Sequence, residues 1–162
     1  RSEKKLVSVS TLKTDVDRWR DQGLRIGFTN GCFDLLHPGH ISLLNEAKMQ
    51  CDRLIVAIND DASVGRLEKG EERPIQGEDA RALVLASLTT VDRVIIFSDD
   101  TPIPLLKQFR PEILIKGGDY RLDEIVGGDI IQGYGGEIKL AKFIDGHSST
   151  VVASRISANR EK

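Results

Sequence analysis

Only two cysteines, Cys32 and Cys51, occur in the 162 residues. That is too few for a disulfide scaffold and the wrong spacing for a zinc site, so both read as reduced thiols of a cytoplasmic protein. Aromatic residues make up 5% of the chain, with a single tryptophan. No apolar run reaches the ~18 residues that a membrane span needs, which excludes a transmembrane helix from the sequence. The first residues, Arg1-Ser2-Glu3-Lys4-Lys5, have no apolar stretch behind them and do not read as a signal peptide. The chain begins at Arg1 rather than Met, as a clipped segment would. Neither sign of charge dominates: 23 Lys and Arg stand against 25 Asp and Glu, a formal charge of −2. Without a basic excess, a dedicated nucleic-acid binder is disfavoured.

What is present is 40% hydrophobic and 30% charged residues, at a length that suits about one domain. A chain of this size buries roughly 68–70% of its surface on folding, enough for a single core without staples. The apolar pattern alternates between two periods. Leu12, Val16 and Trp19 recur at helical spacing over 10–22, as an N-terminal helical extension covering residues 1–23. Strands are expected at 24–29, 53–59, 91–97, 112–116 and 137–143. Helices are expected at 39–50, 78–88, 102–109 and 149–159, with a weaker one over 122–134 broken by Gly127-Gly128. Leu54-Ile55-Val56-Ala57-Ile58 is continuously apolar, as a strand buried on both faces is. This order predicts one α/β domain over 1–162: a Rossmann-like, three-layer α/β/α arrangement around a mostly parallel five-stranded sheet. The charged stretch from Asp60 to Gly77 reads as a long loop, and loops of that length are usually functional.

Ligands of such sheets bind beyond the carboxyl ends of the strands, so the residues after each strand carry the functional reading. The first strand runs into Thr29-Asn30-Gly31-Cys32-Phe33-Asp34-Leu35-Leu36-His37-Pro38-Gly39-His40. Gly31 permits close backbone approach, and Gly39 opens a helix whose free N–H groups suit a phosphate. His37 and His40 are three residues apart across that turn and can donate to one phosphate. A metal pair is the rival reading, but zinc would want a third ligand at a spacing the nearby carboxylates lack. Near the other end, Ser149 or Thr150 can cap the last helix, whose N–H groups suit a β- or γ-phosphate.

The stretch from Thr29 to His40 resembles the HxGH signature of the cytidylyltransferase-like nucleotidylyltransferases, and Gly146-His147-Ser148-Ser149-Thr150 stands where that family has a Ser/Thr-rich turn. A closer resemblance, covering roughly 24–157, is to the heptose 1-phosphate adenylyltransferases. It rests on Thr29 to Asp34, Lys69-Gly70, Arg73-Pro74-Ile75, Arg81 to Leu88, Asp99-Asp100-Thr101-Pro102 and Lys116-Gly117-Gly118-Asp119-Tyr120. With no sugar-kinase domain in the sequence, the standalone form of that enzyme is expected. One departure stands out: the glycerol-phosphate relatives have an Arg before their Ser/Thr turn, whereas this chain has Asp145. A cationic contact there would come from Lys142 or Arg155.

The resemblance implies transfer of AMP from ATP, with Mg²⁺, to D-glycero-D-manno-heptose 1-phosphate, yielding ADP-heptose for lipopolysaccharide core synthesis. His37, His40 and Lys69 are the expected catalytic residues. Thr29, Gly31, Cys32, Phe33, Gly39, Lys116, Gly117, Ser148, Ser149 and Thr150 are expected around the nucleotide, with Cys32 supplying no catalytic thiol. Asn30, Asp34, Arg81 and Asp119 are expected on the sugar phosphate. No protein metal site, membrane or nucleic-acid partner is expected, and the assembly would be a homodimer or small even oligomer. Two rival readings are a cytidylyltransferase for glycerol 3-phosphate or a related alcohol phosphate, and a non-catalytic nucleotide-binding module.

Overall fold

The computed structural model describes residues 1–67, 72–118, 120–142 and 149–160. Five strands form one sheet: β1 (Ile26–Gly31), β2 (Arg53–Asn59), β3 (Arg93–Phe97), β4 (Ile113–Gly117) and β5 (Glu137–Ala141). Their order is β3-β2-β1-β4-β5, and every neighbouring pair is parallel. The chain therefore winds outward from β1 to β3 and crosses back to β4 and β5. That reversal makes a switch point between the carboxyl ends of β1 and β4.

Strand residues alternate between two cores. Ile26, Phe28, Ile55, Ala57, Ile95 and Leu114 face one cluster, which includes Leu12, Val16 and Trp19 of α1 (Val9–Asp21). Leu105, Leu106 and Phe109 of α5 (Ile103–Phe109) and Ile131 of α6 (Gly128–Gly133) complete it. Leu54, Val56, Ile58, Ile113 and Ile115 face the other cluster. There Leu44 and Ala47 of α2 (Pro38–Met49) meet Ala82, Leu85 and Ala86 of α4 (Glu78–Ala86). Sheet and helix layers thus form the expected α/β/α sandwich. The helix before residue 24 is no appendage: Leu12, Val16 and Trp19 are core residues, and Leu6 pairs with Val94 beside β3.

Local differences from the sequence expectation have local causes. The stretch 60–77 is not all loop. Asp60 caps α3 (Asp61–Arg66) by accepting from the Ser63 amide at 2.7 Å, and the helix buries Val64. The helix expected over 122–134 is a 3₁₀ turn at Leu122–Glu124 followed by α6. The divide is Gly127, whose φ of +83° is left-handed. β5 ends at Ala141, and Phe143, expected within it, lies outside the described residues. The last helix, α7, runs Ser149–Arg160.

On the α2 side of β1 the side chains are small. A Cβ at Gly27 would stand 2.6 Å from Cys51 Sγ, so glycine sets how closely the end of α2 approaches the strand. At Gly127 a Cβ would meet Leu106 Cδ1 at 2.3 Å in addition to the left-handed φ. The left-handed conformation alone costs an L-residue roughly 1–2 kcal/mol, and Leu106 is a fully buried core residue. Gly127→Ala is expected to lower unfolding free energy by at least about 1–2 kcal/mol, measured as a shift of the urea midpoint at constant m-value.

Candidate functional site

The carboxyl end of β1, the turn after it and the start of α2 build the site. Pro38 occupies the first turn of α2, where its missing N–H costs nothing, and His37 is the N-cap residue. The two histidines cap each other's backbone. His37 Nδ1 accepts from the Gly39 amide at 3.1 Å, and His40 Nδ1 accepts from the His37 amide at 3.3 Å. In these contacts each Nδ1 acts as an acceptor, so the cap uses that nitrogen of each ring. The rings lie against each other, centroids 3.8 Å apart and tilted by 30°, with Phe33 5.1 Å from His40 on its other side. Phe33 reaches that position through a left-handed backbone, φ 49°, and is itself buried. The histidine cap therefore sets two imidazoles side by side where a helix N-terminus already favours an anion.

The electrostatics favour the same state. Burial lowers the His40 pKa, the neighbouring His37 lowers it further, and a hydrogen bond with the Leu35 backbone opposes them; the result is about 4. His40 is thus neutral near pH 7.

Asp34 is buried, not presented to a sugar. Its carboxylate accepts from the Ile75 amide at 2.9 Å and the Gln76 amide at 2.9 Å, and pairs with Arg73 Nη1 at 2.9 Å. Burial raises its pKa, but these two amides and the Arg73 guanidinium outweigh that and hold the carboxyl below its ordinary value. The expected substrate role of Asp34 is replaced by an anchoring one: it fastens 73–76 to the turn that leads into His37. Arg81 is likewise corrected. The guanidinium of this 1% exposed side chain donates to Cys32 O, Asn59 O, Gln76 O and Asp61 Oδ1. With its donors so committed, it does not reach a phosphate in the cleft; it braces the ends of β1 and β2. Arg73, part of the Arg73-Pro74-Ile75 motif, had no role assigned from the sequence, and here it pairs with Asp34.

The remaining expected residues divide by position. Asn30 and Gly31 end β1, and Lys116 and Gly117 end β4, across the switch point. Gly117 lies against Leu43 of α2, which brings the β4 end to the helix that carries the histidines. Lys116 Nζ stands 5.8 Å from the centroid of the Tyr120 ring, within the same Lys116 to Tyr120 motif. Thr29 is fully buried beneath this end, and its Oγ1 has no hydrogen-bond partner among the described residues, so it underlies the site without being exposed to a ligand. Cys32 Sγ lies 3.8 Å from Asn59 Oδ1, and its carbonyl is held by Arg81. Gly39 supplies the amide that fixes His37. Ser149 and Thr150 open α7, but their side chains, like Lys69, Asp119 and Ser148 as whole residues, lie outside the described residues. Among the described residues no three His, Cys, Asp or Glu side chains gather as a metal cage, and no helix is long and apolar enough to cross a membrane.

Comparison with known proteins agrees with this architecture. The family model described as cytidylyltransferase-like matches residues 28–155. The chain is 55% identical over 143 residues to the bifunctional protein HldE of Caulobacter vibrioides, covering 88% of this chain and 29% of that protein. It is 50% identical over 157 residues to the bifunctional protein HldE of Paramagnetospirillum magneticum, covering 97% of this chain and 32% of that protein. The chain thus spans less than a third of the length of these curated relatives. Among solved structures, the lipopolysaccharide core biosynthesis protein of Thermoplasma volcanium superposes with a TM-score of 0.62 at 30% identity, over 75% of this chain and 98% of that one. Pantoate-beta-alanine ligase of Francisella tularensis, solved with a β,γ-ATP compound and beta-alanine, has a TM-score of 0.61. It covers 90% of this chain and 68% of that one, and at 19% identity it shares the fold alone.

The depressed His40 pKa makes a stability prediction. An unfolded histidine titrates near 6.5, whereas the folded one stays neutral to about 4. Between these values the unfolded state binds more protons, so stability is full above about pH 6.5 and falls as the pH drops toward 4. Urea titrations across that window should show a shallower pH dependence for His40→Asn than for the parent. Equal slopes would mean that His40 is not held neutral by its surroundings.

Proposed function

The chain belongs to the cytidylyltransferase-like family, and from that premise we propose that it is a sugar 1-phosphate adenylyltransferase. It would transfer AMP from ATP to D-glycero-D-manno-heptose 1-phosphate, yielding ADP-heptose and pyrophosphate. The heptose assignment is supported by the motif resemblance along 24–157. It is supported also by the likeness to a lipopolysaccharide core biosynthesis protein and to HldE proteins. The reading of the reaction class rests on the mutual cap of His37 and His40, which holds two imidazoles against each other at a helix N-terminus next to the end of β1.

In the reaction a phosphate oxygen of the sugar phosphate attacks the α-phosphorus of ATP in line. The new O–P bond forms as the bond from the α-phosphorus to the bridging oxygen breaks, and that oxygen leaves with pyrophosphate. No protein nucleophile takes part, so catalysis lies in positioning and in stabilising charge. As the α-phosphorus becomes pentacovalent, negative charge gathers on its non-bridging oxygens, where the histidine N–H groups would donate. Lys116 at the end of β4 is suited to the triphosphate, and Lys69, from its place in the charged stretch after α3, to late neutralisation of the leaving group. The N–H groups at the start of α7, beside Ser148, Ser149 and Thr150, would take the β- or γ-phosphate. Asn30, at the lip of β1, and Asp119 would contact the sugar. Mg²⁺, bound to the nucleotide, supplies additional charge neutralisation. The resemblance also supports a cytoplasmic enzyme acting as a homodimer or small even oligomer.

Pyrophosphate release from ATP, CTP, GTP and UTP, each crossed with heptose 1-phosphate anomers and glycerol 3-phosphate, tests the assignment. Turnover confined to ATP with a heptose 1-phosphate is expected. Turnover of CTP with glycerol 3-phosphate would replace the proposal with the sister activity, and nucleotide binding without any turnover would replace it with a binding module.

Losing one transition-state donor costs about 2.7–4 kcal/mol, or roughly 10²–10³ in kcat. His37→Asn and His40→Asn should each fold and bind ATP within about tenfold of the parent, yet release pyrophosphate at least ~100-fold more slowly. Near-parental rates in both variants would remove the imidazoles from the mechanism.

A further inference from the structure

At the opposite edge of the sheet, where β1, β4 and β5 begin, lies a second cavity of about 490 Å³. Arg20, Arg25, Arg110, Glu112, Tyr134 and Glu137 line it, with the backbone of Gly135 and Gly136. Because the strands are parallel, it is separated from the histidine turn by the length of β1, roughly 20 Å at 3.3 Å per residue.

The lining groups are not balanced. Glu112 is consumed: Oε1 takes Arg20 Nε at 3.0 Å, and Oε2 takes the Ile26 amide at 2.8 Å. Arg20 spends its remaining reach on the carbonyls of Phe109 and Arg110. Arg25 holds Glu137 through Nη2 at 3.1 Å, but the Glu137 side chain is 66% exposed, so that pair contributes little. Arg25 Nε is buried and has no hydrogen-bond partner. The Arg110 guanidinium lies 4.8 Å from the centroid of the Tyr134 ring and has no carboxylate or carbonyl partner among the described residues. Three guanidinium groups face two carboxylates, so one positive charge is left over.

The backbone of Arg110 adds an independent sign. It caps α5 in the left-handed region, φ 47° and ψ 58°, a position that favours glycine. An arginine there accepts a conformational cost and places a cation over the Tyr134 ring at the cavity rim.

We propose that this cavity is a second ligand site, taking the oxyanion head, phosphate or carboxylate, of a small metabolite. Arg25 turns from the exposed Glu137 and offers Nε and Nη2 side by side, the fork that fits two oxygens of one anion. The same turn gives the orphaned Nε an acceptor. Arg110, beside Tyr134, donates from the rim. An occupant here does not compete with a nucleotide at the far edge.

The test is an amide NMR titration of the whole chain with sodium phosphate and, separately, sodium acetate. Ionic strength is held constant with sodium chloride. Saturable shifts of the Gly135 and Gly136 amides are expected, and the anion that saturates them at lower concentration identifies the head group. The Arg25→Gln/Arg110→Gln pair should weaken that saturation at least tenfold while β1 amides stay dispersed. Should the pair fail to fold, Arg110→Gln alone is expected to weaken it at least threefold. Shifts that do not saturate, shifts matched by chloride alone, or affinity unchanged by substitution overturn the site. The reporters are remote from His37 and His40, so this outcome is read independently of the transferase reaction.

Discussion

The candidate site depends on a buried cation. Arg81 leaves α4 and drives a fully enclosed guanidinium into the space behind the ends of β1 and β2. There it collects the carbonyls of Cys32, Asn59 and Gln76 and the carboxylate of Asp61. Four acceptors on one planar fork fix three chain segments, after β1, at the end of β2 and before α4, relative to one another. A buried charge is tolerable only when so satisfied, and removing a partner from such an arrangement is strongly destabilising. Asp34 repeats the device with the opposite charge, holding Arg73 and the amides of Ile75 and Gln76. Between them the two residues turn the irregular backbone around β1 into a rigid base for the start of α2.

On that base the two histidines are oriented locally. Each caps backbone within the same turn through Nδ1, and Phe33 packs against His40. Pro38 contributes by removing one amide from competition at the helix start. A capping role for a histidine near a helix start and a ligand role are often treated as alternatives. In this geometry the two are compatible, because the cap uses Nδ1 and leaves the other edge of each ring outside the capping contacts.

The sandwich was legible in the sequence because it rests on periodicity. Leu54 to Ile58 could only be a strand covered on both faces, and Leu12, Val16 and Trp19 could only be one stripe of a helix. What periodicity hides is whether a polar residue points outward. Arg81 and Asp34 were read as substrate contacts because they are charged and near the motif. Their partners are largely backbone groups of Cys32, Asn59, Ile75 and Gln76, and backbone acceptors and donors look alike in every sequence. The short helix α3 was missed for a related reason: its six residues bury little, and it is held by the Asp60 cap and by Arg66 contacts to Asp100 and the Ser98 carbonyl. The histidine motif was legible because Pro38 and Gly39 mark a helix start regardless of tertiary context.

The charge state of that motif bears on how catalysis could be divided. ATP arrives with several negative charges, and a pair of imidazolium cations at the α-phosphate would hold it strongly before any reaction. Tight ground-state binding of that kind lowers KM without raising kcat. A neutral N–H donor attracts a phosphate ester more weakly, and its interaction grows as the α-phosphorus becomes pentacovalent and its oxygens gain charge. The burial that keeps His40 neutral is therefore more than a cost of packing the ring between Phe33 and His37. In the proposed reaction it keeps the binding energy at this position for the transition state, and leaves ground-state attraction to Lys116 and the start of α7.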